Sequence, residues 1–154
     1  MDLAGPPKAT GRLPAAYLWG TGCEGGRGWD IFGRLVGADG VPVGNDLRIS
    51  GPGAVSAEWL PAVAWDGADD QYLVVWMDLR AEYTRYWDIW ARRLDSAGVP
   101  VALGFRVSGA GATADERNPA VAWNSNDDQF LVVREDWRNS ASRKMDIWGR
   151  RVQG

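Results

Sequence analysis

The sequence lacks histidine altogether and has a single cysteine, Cys23, among its 154 residues. Without histidine, Ser-His-Asp and Cys-His nucleophile activation, the commonest zinc sites and the usual general base near neutral pH are excluded. A lone cysteine cannot form an intrachain disulfide, and Cys23 is predicted to be a bystander thiol. We therefore expect no enzymatic activity, no cofactor and no metal ion.

Blocks of like charge and long apolar runs are also missing. The net charge is −3, and acidic and basic residues are interspersed, which argues against a nucleic-acid surface. No stretch approaches the length of a membrane span, and the start of the chain has no apolar run of signal-peptide length. We expect neither a nucleic acid nor a membrane as partner. Hydrophobic residues make up 45% of the chain and include ten tryptophans, so a folded core is expected.

One stretch of sequence occurs three times. The segment Asp-Ile-aromatic-small-Arg begins at Asp30, Asp88 and Asp146, and successive copies lie 58 positions apart. A fixed period of this length indicates a repeat architecture. The sequence divides into an N-terminal arm and one repeat domain with three approximate copies: 1–14, then 15–60, 61–118 and 119–154.

Each complete copy is predicted to contain four strands, which gives about ten strands in all and no sustained helix. Gly40 and Gly98 end short turns where a hairpin requires a positive φ angle, so the flanking strands should be antiparallel neighbours. In 71–76 both alternating sets of side chains are apolar, which predicts a strand buried on both faces. The first copy lacks a recognisable opening strand and the third lacks a closing one.

The repeated text is Pro-Ala-Val-Ala-Trp, then Asp-Asp-Gln-aromatic-Leu-Val-Val, Asp-Ile-Trp-x-Arg-Arg, Gly-Val-Pro-Val and Phe-Arg-Val-Ser. It resembles tandem repeats of bacterial cell-surface and secreted proteins over roughly residues 15–154. The resemblance implies four-stranded β-propeller blades and a cell-surface or secreted origin. It implies no particular activity.

Fewer than three blades cannot close a propeller, which typically has four to eight. An open stack would expose apolar faces, so we expect a homo-oligomer, a dimer or a trimer, that closes the ring. The alternative fold is a β-trefoil or β-prism, which would close within one chain.

Asp and Arg recur four residues apart on one strand face in every copy. The simplest interpretation is structural, as an ion pair or as a carboxylate that caps backbone N–H groups of a neighbouring loop. The residues are Asp30, Asp88, Asp146, Arg34, Arg92 and Arg150.

The loop between the second and third strands differs most between copies, and variable loops on a scaffold often bind ligands. Aromatic rings beside Asp and Arg would suit a sugar, so a lectin or protein-binding role is an alternative to pure assembly. The simpler interpretation is that the tryptophans pack between blades and that Asp78 and Arg80 form a further structural pair. The candidate ligand-binding residues are Asp78, Arg80, Tyr83, Trp87, Asp136, Trp137 and Arg138.

Two further hypotheses concern carboxylates. An acid-based glycoside hydrolase could use Asp78 with Asp136 or Glu135, since that chemistry needs two carboxyl groups and no histidine. The acidic segments 66–70 and 124–128 suggest calcium loops, but they lack the spacing of a twelve-residue loop that ends in Glu. Asn and Asp are also favoured in turns for their own hydrogen bonds to the backbone.

Overall fold

The structure is a computed structural model, and it describes residues 13–19, 28–51, 56–81, 86–109 and 111–154. The predicted all-β class is confirmed. In the described residues the chain forms ten strands, as expected, and one four-residue helical turn. The elements are β1 Leu13–Trp19, β2 Asp30–Val36, β3 Pro42–Arg48, β4 Glu58–Asp66, β5 Gln71–Ala81, β6 Tyr86–Asp95, β7 Phe105–Arg106, β8 Glu116–Asn124, β9 Gln129–Asp136, α1 Ser140–Arg143 and β10 Asp146–Gln153.

The strands form three antiparallel sheets, each a simple meander. Sheet 1 has the order β1-β2-β3, sheet 2 the order β4-β5-β6-β7, and sheet 3 the order β10-β9-β8. Four-residue turns connect β4 to β5 and β8 to β9. The described residues contain no closed barrel. Sheet 2 therefore holds a complete four-stranded repeat, whereas sheets 1 and 3 each hold three strands of it.

The 58-residue period extends to unusual backbone angles. A left-handed φ angle recurs at equivalent positions, and the ladder is irregular at the same place in β4 and β8, between Trp59 and Ala62 and between Arg117 and Ala120. The equivalent left-handed pairs are Gly40 and Gly98, Leu60 and Asn118, Asp70 and Asp128, and Tyr86 and Lys144. Gly40 and Gly98 confirm the predicted hairpin turns, because φ values of 78° and 81° favour glycine.

The sheets pack face to face in chain order. We call the side of a sheet that meets the next sheet its forward face, and the side that meets the preceding sheet its rear face. One core joins the forward face of sheet 1 to the rear face of sheet 2: Ile31, Leu35, Ile49, Tyr72, Val74, Trp76 and Leu94. The other joins sheets 2 and 3: Leu73, Val75, Met77, Ile89, Ala91, Val107, Phe130 and Val132. Strand β5 is thus buried on both faces, as predicted.

Some boundaries differ from expectation. Strand β1 begins at Leu13, inside the range assigned to the N-terminal arm, and Pro14 is opposite Leu35 in its ladder. The rest of that arm lies outside the described residues. The fourth strand of sheet 2, expected over 99–108, is reduced to β7 and an isolated bridge between Leu94 and Pro100. Within the described residues, no helix is long and apolar enough to cross a membrane.

Candidate functional site: the junctions between sheets

A network of hydrogen-bonded polar side chains crosses each junction between sheets. At the first junction Glu58, at the start of β4, is fully buried and lies against sheet 1. The Ile31 N–H donates to Glu58 Oε2 at 3.3 Å and to Ser50 Oγ at 3.1 Å. Ser50 Oγ also lies 3.5 Å from Asp30 Oδ1. These contacts join the first strand of sheet 2 to β2 and to the chain just after β3.

Asp78 and Arg80 extend this polar network within sheet 2. Asp78 Oδ1 accepts from the Arg80 backbone N–H at 2.9 Å and from Arg80 Nε at 2.8 Å, and Asp78 Oδ2 accepts from Arg80 Nη2 at 2.5 Å. Trp76 Nε1 donates to the same Oδ2 at 3.1 Å. The Arg80 guanidinium lies over the Trp90 ring, 3.6 Å from its centroid. Both groups are therefore held by protein contacts.

The second junction repeats this arrangement 58 residues later. Asp136 accepts from Arg138 N, Nε and Nη2 at 2.9, 2.8 and 2.5 Å, and the guanidinium lies 4.2 Å from the Trp148 centroid. Arg138 Nη2 also donates to Glu116 Oε1 at 3.3 Å. One position differs, because Arg134 replaces the tryptophan at 76. Its Nε lies 2.9 Å from Glu116 Oε2.

The buried carboxyl groups have shifted pKa values. Burial raises the pKa of Glu58 from 4.5 to about 7, the Ser50 hydrogen bond opposes this shift, and the charges of Asp78 and Asp30 add to it. Burial also raises the pKa of Glu116, opposed by Ser108 and Arg134. Burial works to raise the pKa of Asp136 as well, but hydrogen bonds from Arg138 outweigh it and hold that pKa below its usual value.

The recurring Asp and Arg of β2, β6 and β10 do not form the ion pair suggested by their spacing. Asp30 pairs with Arg48 at 2.6 Å, and Asp88 lies 3.5 Å from Arg106, each across to the neighbouring strand. Asp146 Oδ2 accepts from Asn139 Nδ2 at 3.1 Å. The physical reason is the rise of a strand, about 3.3 Å per residue, which separates positions i and i+4 by about 13 Å.

The arginines instead join neighbouring sheets. Arg92 Nη1 donates to the Ile49 carbonyl at 2.9 Å, and Arg150 Nη1 donates to the Val107 carbonyl at 2.8 Å. Each bond runs from the third strand of one copy to the chain just after the fourth strand of the preceding copy. Arg34, in the first copy, donates to Gly44 O at 2.7 Å within its own sheet.

The remaining predicted binding residues are dispersed. Trp87 meets the Trp59 ring edge-on at a centroid distance of 6.2 Å. Trp137 is 37% exposed and its backbone N–H donates to Asp115 O at 3.0 Å. Tyr83 lies outside the described residues. Asp78 and Asp136, proposed as a catalytic pair, are each 1% exposed and bonded to the arginine two residues on.

Sequence reasoning missed two fully buried polar residues, Glu58 and Glu116. A signal was present, because both glutamates stand at one repeat position, three residues before the strands predicted to begin at Pro61 and Pro119. Ser50 and Ser108 also stand 58 positions apart, and the sequence pattern assigns them no role. The structure makes all four part of the contact between sheets.

The acidic turns have a local role. Asp66 Oδ1 accepts from the N–H groups of Ala68 at 2.8 Å and Asp69 at 3.2 Å, and Asn124 Oδ1 accepts from Asn126 N at 3.0 Å. These are bonds within turns of the kind that Asn and Asp form. Among the residues described, no group of three or more His, Cys, Asp or Glu side chains could hold a metal ion.

The forward face of sheet 3 differs sharply from that of sheet 2. Leu73 and Ile89 in sheet 2 are 0% exposed, whereas their equivalents in sheet 3, Leu131 and Ile147, are 47% and 68% exposed. The neighbouring Gly149 is exposed, whereas its counterpart Ala91, which is also a small residue, is buried. In the described part of the chain, nothing packs on this face as sheet 3 packs on sheet 2.

No model of a known protein family matches the chain, and no curated protein matches it.

Proposed function

We propose that the chain is a non-enzymatic, β-propeller-type repeat module that assembles with further copies of itself to close a ring. The supporting observation is the exposed forward face of sheet 3, whose Leu131 and Ile147 are equivalent to fully buried residues of sheet 2. Apolar patches of this kind on a folded domain mark interaction surfaces. The next layer that fits this face is another copy of the repeat, because sheet 3 covers the same face of sheet 2.

The chain also contains the polar contacts that such stacking uses. Two successive junctions are made by the same set of residues, with Glu58 or Glu116 reaching back to the preceding sheet and Arg92 or Arg150 donating to its backbone. A contact that recurs head to tail generates a ring when the rotation closes. Two chains would then supply six blades, and three would form a larger ring.

The test is the mass in solution at micromolar concentration, measured by light scattering or sedimentation. We expect two or three times the mass of one chain. The double variant Leu131→Asp/Ile147→Asp should be monomeric, because it places two charges in the apolar contact. The matched control is Val99→Asp/Val101→Asp, whose residues are also about half exposed but lie in the connection between β6 and β7. A monomeric parent chain, or a monomeric control, would contradict the proposal.

A carbohydrate-binding role is the second candidate, and exposed aromatic rings favour it. Trp59 is 43% exposed, Tyr86 is 64% exposed, and the Trp59 ring contacts Trp87. Exposed aromatic faces stack on the C–H faces of sugars. Asp78 and Arg80 are bonded to each other, so the aromatic rings would carry the binding. A glycan array should then give one defined sugar with the parent chain and no signal with Trp59→Ala, and a silent array would remove this candidate.

A further inference from the structure

The outer edge of β10 pairs with no strand among the described residues, whereas the equivalent edges of β2 and β6 each pair with a further strand. We call the edges of β2 and β6 the filled edges. In sheet 1 the third strand of the repeat, β2, pairs with β3, and in sheet 2 the equivalent strand, β6, pairs with β7. In sheet 3 the same position is held by β10, which is the last strand on that side among the described residues. An open edge presents backbone N–H and C=O groups to an added strand.

Both filled edges use the same backbone bonds. The N–H of Ile49 donates to Ile31 O at 2.8 Å, and the N–H of Val107 donates to Ile89 O at 2.7 Å. A serine follows each of these residues, and its Oγ accepts from the same isoleucine: Ile31 N to Ser50 Oγ at 3.1 Å and Ile89 N to Ser108 Oγ at 2.7 Å. The equivalent residue of β10 is Ile147.

Both filled edges also use the same side-chain pairs. The aspartate that opens the third strand pairs with an arginine of the fourth, Asp30 with Arg48 and Asp88 with Arg106. A small residue, Gly33 or Ala91, lies opposite a large apolar one, Leu47 or Phe105. Strand β10 has Asp146 and Gly149 at these two places, and the Asp146 carboxylate bonds only Asn139 among the described residues.

We infer that the edge of β10 is a binding site for an extended segment of another polypeptide with the sequence apolar-Arg-(Ile or Val)-Ser. The arginine pairs with Asp146 and the apolar residue lies against Gly149. The N–H of the Ile or Val donates to the Ile147 carbonyl, and the serine Oγ accepts from the Ile147 N–H. The two internal examples are Leu47-Arg48-Ile49-Ser50 and Phe105-Arg106-Val107-Ser108. Charge complementarity at Asp146 and the continuation of an existing strand pairing identify the occupant.

The probe is a fluorescent peptide with the sequence of residues 104–109, Gly-Phe-Arg-Val-Ser-Gly, titrated into the full chain. We expect saturable one-to-one binding that raises the melting temperature. Replacing the peptide arginine by Gln should weaken binding about tenfold, since it removes a charge-assisted pair. Replacing its valine by Pro should abolish binding, because proline has no N–H to donate to Ile147.

The protein-side variant is Asp146→Asn, with Asp69→Asn as the control that makes the same charge change in the exposed β4–β5 turn. Asp146→Asn should weaken the parent peptide about tenfold and should not weaken the Gln peptide further, because both changes break one contact. Asp69→Asn should leave the affinity unchanged. In a nuclear magnetic resonance titration the Ile147 amide should shift on binding.

Absence of saturable binding up to millimolar peptide would overturn the inference. So would equal binding of a scrambled peptide, or independent effects of the Gln peptide and Asp146→Asn. The inference does not depend on self-association, since it concerns the strand edge and not the forward face. A mass measurement that gave only the mass of one chain would therefore remove the proposed assembly and leave this inference untouched, whereas a failed peptide titration would remove this inference and leave the assembly.

Discussion

The polar contacts of the two junctions between sheets use the same positions of the repeat and differ at one buried residue, which is Trp76 at the first junction and Arg134 at the second. At the first junction Trp76 is uncharged and donates to Asp78, so the nearest cation to the Glu58 carboxyl is Arg80, with Nη2 3.9 Å from Oε1. At the second junction Arg134 is 4% exposed, and Glu116 meets both Arg134 and Arg138. The first junction thus favours a protonated acid, and the second an ion pair.

This difference shows what the repeat requires and what it tolerates. A glutamate that reaches back to the preceding sheet is present at both junctions, and so is an Asp-x-Arg segment stacked on a tryptophan. The number of guanidinium groups in contact with the glutamate is not common to both. Because a buried carboxyl group costs free energy unless it is protonated or paired, the same fold accepts either solution.

The largest effect is expected from breaking the ion pair of the second junction. Arg134→Met should lower the free energy of unfolding by about 3 kcal/mol at pH 7, because it leaves Glu116 buried with one cation fewer. Adding Glu116→Gln should recover part of this loss. Urea denaturation of the single and double variants measures both changes.

Arg151→Met is the matched control for Arg134→Met. It removes the same charge from an exposed position of β10 and should change the free energy of unfolding by less than about 0.5 kcal/mol. If Arg134→Met were as mild as this control, the ion pair would not distinguish the two junctions.

The second prediction concerns the pH dependence of the first junction. The pKa of Glu58 is about 7 in the folded chain and 4.5 in the unfolded one, so the folded state binds the extra proton and stability falls as the pH rises from 4.5 to 7. Glu58→Gln should remove this dependence. The variant should exceed the parent by roughly 2 kcal/mol above pH 7 and equal it near pH 4.

Thermal unfolding of both proteins across that pH range is the measurement. A gain for Glu58→Gln that persists unchanged at pH 4 would show that the Glu58 carboxyl is not the titrating group. Glu116→Gln sharpens the comparison, because it should destabilise the chain at pH 7 by removing the nearer of the two carboxylates beside the buried Arg134.

The smallest effects are expected where the junctions are alike. Arg80→Lys and Arg138→Lys should each cost about 1 kcal/mol, since lysine keeps the charge but can neither bond a carboxylate through two nitrogens nor stack its plane on a tryptophan. Urea denaturation should give similar values for the two variants. A difference well above 1 kcal/mol would mean that the two Asp-x-Arg segments are not equivalent.

Much of the secondary structure could be predicted because the copies of the repeat corroborate one another. The count of ten strands, the glycines with positive φ and the burial of 71–76 on both faces all follow from patterns repeated at 58 residues. Strand lengths were less predictable. The fourth strand of sheet 2 was expected over 99–108, but it includes only Phe105–Arg106. The position at which a strand ends depends on pairing with its neighbour and not only on the propensity of its own residues.

The partners of the polar side chains could not be read from spacing. Asp30 and Arg34 share a strand face, yet Asp30 pairs with Arg48 from the adjacent strand. Glu58 escaped notice because glutamate is normally a surface residue, and only packing against sheet 1 makes it buried.

By itself the amino-acid sequence determined a threefold, all-β pattern with a fixed period, since alternation of apolar residues and turn glycines are local properties of the chain. Tertiary structure alone decided which carboxylate meets which guanidinium, which glutamates have a raised pKa and which face remains open. These depend on distances between sheets and on exclusion of water, and neither is encoded in the spacing of residues along a strand.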